Sequence, residues 1–205
     1  LESSKKWDYR FLELAESVSK WSKDPSTKVG SVIVDSKRRV IGMGYNGFPR
    51  GVDDSEERYN DRETKLLFVC HAERNALDNA PGSVEGATLY ATMFPCNECC
   101  KSIIQKGITK VVTFVPSRAK YLLYKYDNSY TMLSESGVKV YQYDYGLYEG
   151  WKNGSNGSNK ATETPGIKRV QSVVHETGRH STGYGLYTEG LDYRSTRKED
   201  RSSED

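Results

Sequence analysis

Four side chains have the types and spacing to do chemistry together: His71, Glu73, Cys96 and Cys99. An imidazole and two thiols spaced C-x-x-C are borderline-to-soft ligands, the set that zinc prefers. Three protein ligands leave a fourth tetrahedral position open, which marks a catalytic rather than a structural zinc. Glu73, two residues after His71, is not needed as a ligand. It stands where a proton carrier beside the metal would stand, so the chemistry is metal-assisted hydrolysis. Each piece also has a plainer explanation. A lone C-x-x-C can be a redox pair, a lone His beside apolar residues is usually core, and Met93 and Phe94 can be ordinary core. The joint pattern, with Pro95 directly before the first thiol, argues against coincidence.

The flanking sequence supplies elements that can position these groups. A helix from about His71 to Ala80, stopped by Pro81-Gly82, carries His71 and Glu73. Ala87 to Met93 is a strand that delivers the chain to Pro95, and a helix runs from Cys96 to Lys106 before Gly107. Thiols at a helix N-terminus feel its positive dipole end, which favours the thiolate. Cys70 and Cys100 are expected in the core. Upstream, Trp7, Phe11, Leu14, Val18 and Trp21 recur at steps of four and three, one face of a helix that Asp24-Pro25 ends. Val29–Val34 and Val40–Asn46 form a hairpin, in which Gly42, Gly44 and Gly47 mark close approaches of backbone or a loose edge. Residues 48–65 are polar and read as a long surface loop with at most a short helical turn. Strand 108–115, a helical segment over 118–136 and strand 138–143 complete an alternating βα pattern.

The totals narrow the class. With 30 Lys and Arg against 28 Asp and Glu, the net charge of +2 lacks the basic excess of a nucleic-acid binder. Four Cys do not make a disulfide framework, and two wanted as thiolates suit a reducing, cytoplasmic compartment. There is no apolar run of membrane-spanning length and no signal-peptide core near residue 1. The chain begins with Leu rather than Met, which leaves room for a natural start upstream. The division expected is a catalytic domain over 1–151, a Gly/Ser/Asn-rich linker over 152–160, and a tail over 161–205. From 152 onward only ten of 54 residues are apolar, too few for a core, so the tail is expected to be disordered; the alternative is a short strand or docking segment at Val170, Val173 and Val174.

H-x-E followed by P-C-x-x-C is the signature of zinc-dependent base deaminases. Residues 7–145 resemble the deoxycytidylate (dCMP) deaminases of the cytidine deaminase superfamily. The resemblance lies in Ser22-Lys23-Asp24-Pro25-Ser26-Thr27-Lys28-Val29-Gly30, Gly44-Tyr45-Asn46-Gly47-Phe48-Pro49, Val69-Cys70-His71-Ala72-Glu73 and Phe94-Pro95-Cys96-Asn97-Glu98-Cys99. It implies a three-layer α/β/α sandwich around a five-stranded mixed sheet. It implies hydrolytic deamination of dCMP to dUMP with release of ammonia, feeding dTMP synthesis. By resemblance, zinc is held by His71, Cys96 and Cys99, and Glu73 shuttles protons. Asn46 holds the sugar hydroxyl, and backbone around Ala72 meets the cytosine carbonyl. Lys28, Arg118, Lys120 and Tyr121 are the phosphate candidates, by position only. The family also implies a homo-oligomer, commonly a hexamer, with dCTP and dTTP as effectors together with Mg2+.

Other functions of the same chain are another cytosine nucleoside or nucleotide as substrate, a nucleic-acid base, or a catalytically inactive regulatory subunit. Nucleic-acid editing needs a basic track with stacking aromatics, which the balanced charge does not provide. An inactive subunit would have no use for Glu73. No membrane and no nucleic acid are expected as partners.

Overall fold

Gly30–Val34 is a β-branched run buried at every position, as expected of a strand covered on both faces. It is strand β1 of the computed structural model, which describes residues 3–154. Its neighbours are β2 (Val40–Tyr45) and β3 (Thr88–Ala91), both antiparallel to it. β4 (Lys110–Phe114) and β5 (Lys139–Tyr143) then extend the sheet in parallel, giving the order β2-β1-β3-β4-β5. The sheet is five-stranded and mixed, as the resemblance implied.

One face of the sheet is covered by helix α1 (Ser3–Ser19), whose Tyr9, Leu12, Ala15 and Val18 recur every three residues and are buried. α1 lies so close to β1 that a Cβ on Gly30 would sit 2.0 Å from the Ala15 carbonyl oxygen, so only glycine fits. The helix ends at Ser19, earlier than Asp24-Pro25 suggested, and Trp21 is 58% exposed instead of continuing the apolar face. The reason is tertiary. Ser22 and Asp24 are drawn away to hydrogen-bond the 46 segment, through Ser22 Oγ to the Asn46 carbonyl (2.7 Å) and Asn46 Nδ2 to Asp24 (3.3 Å).

The other face carries the layer that bears the chemistry. α4 (Ala72–Asp78) packs on β2 and β1, beside α5 (Asn97–Gln105) and α7 (Tyr126–Glu135). Gly42 and Gly44 are explained here: a Cβ on Gly44 would come within 2.4 Å of the Ala76 nitrogen, and one on Gly42 within 2.6 Å of the Ala76 oxygen. These glycines admit α4 against the sheet, whereas Gly47 meets only ordinary contacts. Cys100 lies in this core, while Cys70 is half-buried and pairs its backbone with Gly47.

Three segments differ from their expected form. Residues 48–65 are not one loop: α2 (Glu56–Asn60) and α3 (Arg62–Phe68) occupy most of the stretch. Asp61 caps α3 through the Glu63 N–H, and buried Tyr59 stacks on Phe48 at 4.3 Å, so local capping and one aromatic contact order a polar sequence. The helix expected over 118–136 is two, α6 (Arg118–Leu123) and α7, because Lys125 takes a left-handed conformation (φ 48°) between them. Finally, α8 (Tyr145–Gly154) follows the last strand and crosses the expected 151/152 boundary. Glu16 of α1 holds it by accepting from Tyr148 (2.7 Å), Tyr145 (3.0 Å) and Lys152 (2.8 Å). The remainder of the expected linker, the whole tail and Val170 to Val174 lie outside the described residues.

Candidate active site

α4 and α5 start side by side, and their first residues bring the chemical groups together. His71 is the N-cap of α4 and Cys96 the N-cap of α5, with Cys99 one turn into that helix. His71 Nδ1 lies 3.4 Å from the Cys96 sulfur and 3.4 Å from the Cys99 sulfur. All three ligand atoms are within 4.8 Å of one another, and among the described residues this is the group of His, Cys, Asp or Glu so arranged. One imidazole nitrogen facing two sulfurs in a triangle of that size is a donor set that fits zinc.

The electrostatics show three donors contending for positive charge. The hydrogen bond to Cys96 raises His71 to about 9. Hydrogen bonds from Cys99 and His71 hold Cys96 down at about 4, against the upward push of burial. Cys99 moves the opposite way, pushed up by its bond to Cys96 and then by burial. The two thiols cannot both be thiolates with protons alone between them, whereas a coordinating thiol gives up its proton to a divalent ion.

Glu73 sits on the first turn of α4, 4% exposed. Among the described residues its carboxyl has one side-chain hydrogen-bond partner, the Cys99 thiol at 3.6 Å, besides its own backbone N–H. Burial raises its pKa, so it keeps a proton at a pH where an ordinary glutamate has lost it. A buried carboxyl with so little hydrogen bonding is poised to exchange protons.

These groups open onto a cleft that His71, Ala72, Glu73, Cys96 and Asn46 all line. Of the phosphate candidates, none lines it. Lys28, Arg118 and Lys120 are exposed, and Tyr121 donates its hydroxyl to Asp127 on the surface of α6 and α7. They border it at most: Lys28 follows Thr27, and Tyr124 caps the C-terminus of α6, and both Thr27 and Tyr124 line the cleft. Asn46 is present but largely committed, since Oδ1 accepts from the Val29 N–H (2.8 Å) and Nδ2 donates to Thr27 O (2.9 Å) and Asp24. The cleft also contains residues that spacing did not single out: Asp24, Lys65 and Tyr124. Asp24 read only as a helix stop, and Lys65 lay in the stretch taken for a loop. A larger surface depression of about 710 Å³, lined by Leu77 to Glu85 and Ile104 to Gly107, holds none of the four chemical groups.

The family model for the cytidine and deoxycytidylate deaminase zinc-binding region matches residues 5–115. The chain belongs to this family. An uncharacterised deaminase from the luxG 3′ region of Aliivibrio fischeri is 42% identical over 139 residues, 66% of this chain and 92% of that one. A probable deoxycytidylate deaminase of Drosophila melanogaster is 41% identical over 144 residues, covering 65% and 70% of the two chains. The crystal structure of dCMP deaminase from cyanophage S-TIM5 in complex with dCMP and dUMP is 27% identical, with a TM-score of 0.55 over 70% of this chain and 99% of that one. The matched residues 5–115 include the junction of α4 and α5, where His71, Cys96 and Cys99 meet.

Proposed function

We propose that this chain is a zinc-dependent dCMP deaminase, converting dCMP and water to dUMP and ammonia and so feeding dTMP synthesis. The observation that carries it is Glu73, buried and nearly unbonded beside the three-donor group, at the end of a cleft that also contains Asn46. Similarity to deoxycytidylate deaminases supports cytosine nucleotide as the substrate class.

Zinc held by His71, Cys96 and Cys99 would supply the Lewis acidity that makes water a nucleophile at neutral pH. Glu73 does the proton work. Hydrolysis puts the oxygen of one water on C4 and breaks the C4–N4 bond. The two protons of that water pass through Glu73, one to N3 and one to the departing amine, which leaves as ammonia. Its raised pKa suits a group that must alternately take and give a proton. Ala72, first residue of α4, has a backbone N–H with no partner inside the helix, and this donor faces the cytosine carbonyl. Asn46 faces the sugar. Selection of the monophosphate falls to cations at the rim, Lys28, Arg118 and Lys120, with Tyr121 beside them.

Exposed Leu66, Leu67 and Phe68 on α3, with Leu122 and Leu123 on α6, support assembly of several copies, a hexamer by resemblance. Effector binding of dCTP and dTTP with Mg2+ rests on the same resemblance. A cytoplasmic site is supported by the need for two thiolates, and no helix among the described residues is long and apolar enough to cross a membrane.

The test is ammonia release from dCMP, dCTP, deoxycytidine, cytidine and a cytosine oligonucleotide in parallel, on protein whose zinc content has been measured. Zinc is expected at about one per chain. A charge-assisted phosphate contact contributes roughly 1.5–3 kcal/mol, so kcat/KM for dCMP is expected at least about tenfold above deoxycytidine. Equal use of the two would reduce the assignment to the superfamily. No turnover of any of them by zinc-loaded protein would remove it.

A further inference from the structure

Beside Asn46, along the same cleft, lies a buried charge pair that the deamination chemistry does not use. Lys65 of α3 donates to Asp24 Oδ1 (3.2 Å) and to Ser26 Oγ (3.0 Å), and both members of the pair are almost fully buried. Asp24 Oδ1 also accepts from the backbone N–H groups of Ser26 (2.8 Å) and Thr27 (3.1 Å), which leaves Oδ2 for Asn46 Nδ2. Removing two charges from water is costly, and such pairs persist in proteins where they specify one arrangement of their neighbours. Here the neighbour is an amide whose two ends look alike in shape and differ only in hydrogen bonding.

The surroundings allow Asn46 one orientation. The Val29 backbone N–H can only donate, so it requires Oδ1. The Thr27 carbonyl and the Asp24 carboxylate can only accept, so they require Nδ2. Both amide hydrogens are then consumed inside the protein, while Oδ1 keeps one lone pair with no hydrogen-bond partner among the described residues. At its cleft face Asn46 can therefore accept and cannot donate.

We propose that Asp24 and Lys65 are positioning residues that, by occupying the second Nδ2 hydrogen which the Val29 and Thr27 backbone contacts leave, complete the lock of the Asn46 amide as an acceptor, so that the sugar end of the cleft selects a nucleotide whose 3′ substituent donates a hydrogen bond. The inference rests on the dCMP deaminase assignment. In dCMP and dUMP the 5′ oxygen carries phosphate, so the 3′-hydroxyl is the one free hydroxyl of the sugar and its donor is what Asn46 reads.

Binding of the product separates this from turnover. Calorimetry on the zinc-loaded full chain compares dUMP with its 3′-deoxy-3′-fluoro analogue, which is similar in size and cannot donate. The analogue is expected to bind at least about tenfold more weakly. In Asp24→Asn the amide oxygen is held by the Ser26 and Thr27 N–H groups and Lys65, so the amide nitrogen, a donor, is left facing Asn46 Nδ2. The substitution is expected to weaken dUMP by a similar factor and the analogue far less, so that the ratio between them falls toward one. Lys65→Met, which removes the partner that orders Asp24, is expected to act in the same direction and serves if Asp24→Asn does not fold. Loss of affinity for both ligands alike, with their ratio intact, would reduce the pair to a merely structural role and overturn the proposal. Equal binding of the two ligands by the unmutated protein would overturn it as well. If dCMP is still deaminated when either result appears, the assigned function survives. If dUMP binds with the expected preference and dCMP releases no ammonia, the assigned function alone is overturned.

Discussion

Asp8 and Glu73 are both buried carboxyls on helices packed against the same sheet, 3% and 4% exposed, on opposite faces. Asp8 is saturated. It accepts from the hydroxyls of Tyr90 (2.8 Å) and Tyr143 (2.7 Å) and is paired with Lys110 at 2.9 Å, so three donors from β3, β4 and β5 converge on one α1 residue. Glu73 has the Cys99 thiol at 3.6 Å as its side-chain hydrogen-bond partner among the described residues, together with its own backbone N–H. A carboxylate whose lone pairs are filled by fixed donors ties helix to sheet. One left short of donors in a buried site has its proton affinity raised and its oxygens free to move a proton. Burial is the same in both places; the count of donors separates structure from chemistry.

The comparison is broken most severely at Glu73. Glu73→Gln keeps shape and burial but removes the proton carrier. Turnover is expected to fall by about 10²–10⁴-fold, with zinc content and melting temperature close to those of the unmutated protein. Deamination at a near-normal rate would mean that another group moves the protons. Asp8→Ala is the mirror experiment. It strands Lys110 and two tyrosine hydroxyls, and breaking a buried pair in this way is expected to cost roughly 3–5 kcal/mol of stability. The rate per folded, zinc-loaded molecule should change little, because Asp8 lies across the sheet from the cleft. Denaturant unfolding followed by kcat measured well below the transition checks both parts. A large fall in kcat with intact stability would place Asp8 in the chemistry.

How much of this was legible depended on the range over which each signal acts. The metal group declared itself through residue types and short spacings, because two helix starts each carry their ligands within one turn. The hairpin, β3, β4 and β5 followed from β-branched runs between breakers. Gly42 and Gly44 were marked as close approaches, but only the packing shows that α4 is what comes close. The Asp24–Lys65 pair was invisible, since the two residues are 41 positions apart, Asp24 reads as a helix stop and Lys65 as part of a polar surface stretch. α8 was missed for a related reason. Its anchors are hydrogen bonds from Tyr145, Tyr148 and Lys152 to Glu16, more than a hundred residues away, and neighbouring Gly146, Gly150 and Asn153 lower the local helix signal. Lys28, Arg118, Lys120 and Tyr121 stand near the motifs along the chain, but nearness in sequence does not make any of them line the cleft.

The smallest effect concerns where the catalytic unit ends. A boundary at residue 151 was suggested by composition, but α8 continues to Gly154, and Lys152 pairs with Glu16 at 2.8 Å and with Glu149 at 2.5 Å. Both partners remain partly solvated, so the Glu16 contact is worth no more than about 0.5–1 kcal/mol. A chain cut after Gly154 keeps every metal-group and cleft residue as well as this pair. It is expected to match the full chain in zinc content, in kcat and in melting temperature within about 1–2 °C. A chain cut after Trp151 loses Lys152 and the last turn of α8, leaving Tyr148 and Tyr145 as the donors to Glu16. It should melt a few degrees lower than the longer cut while deaminating at the same rate, since α8 covers the face of the sheet opposite Glu73. Parallel thermal scans and ammonia assays on the three lengths check this. Loss of turnover in a folded chain cut after Gly154 would show that residues beyond 154 contribute to catalysis, and the division between a closed structural face and an open chemical one would then have to include them.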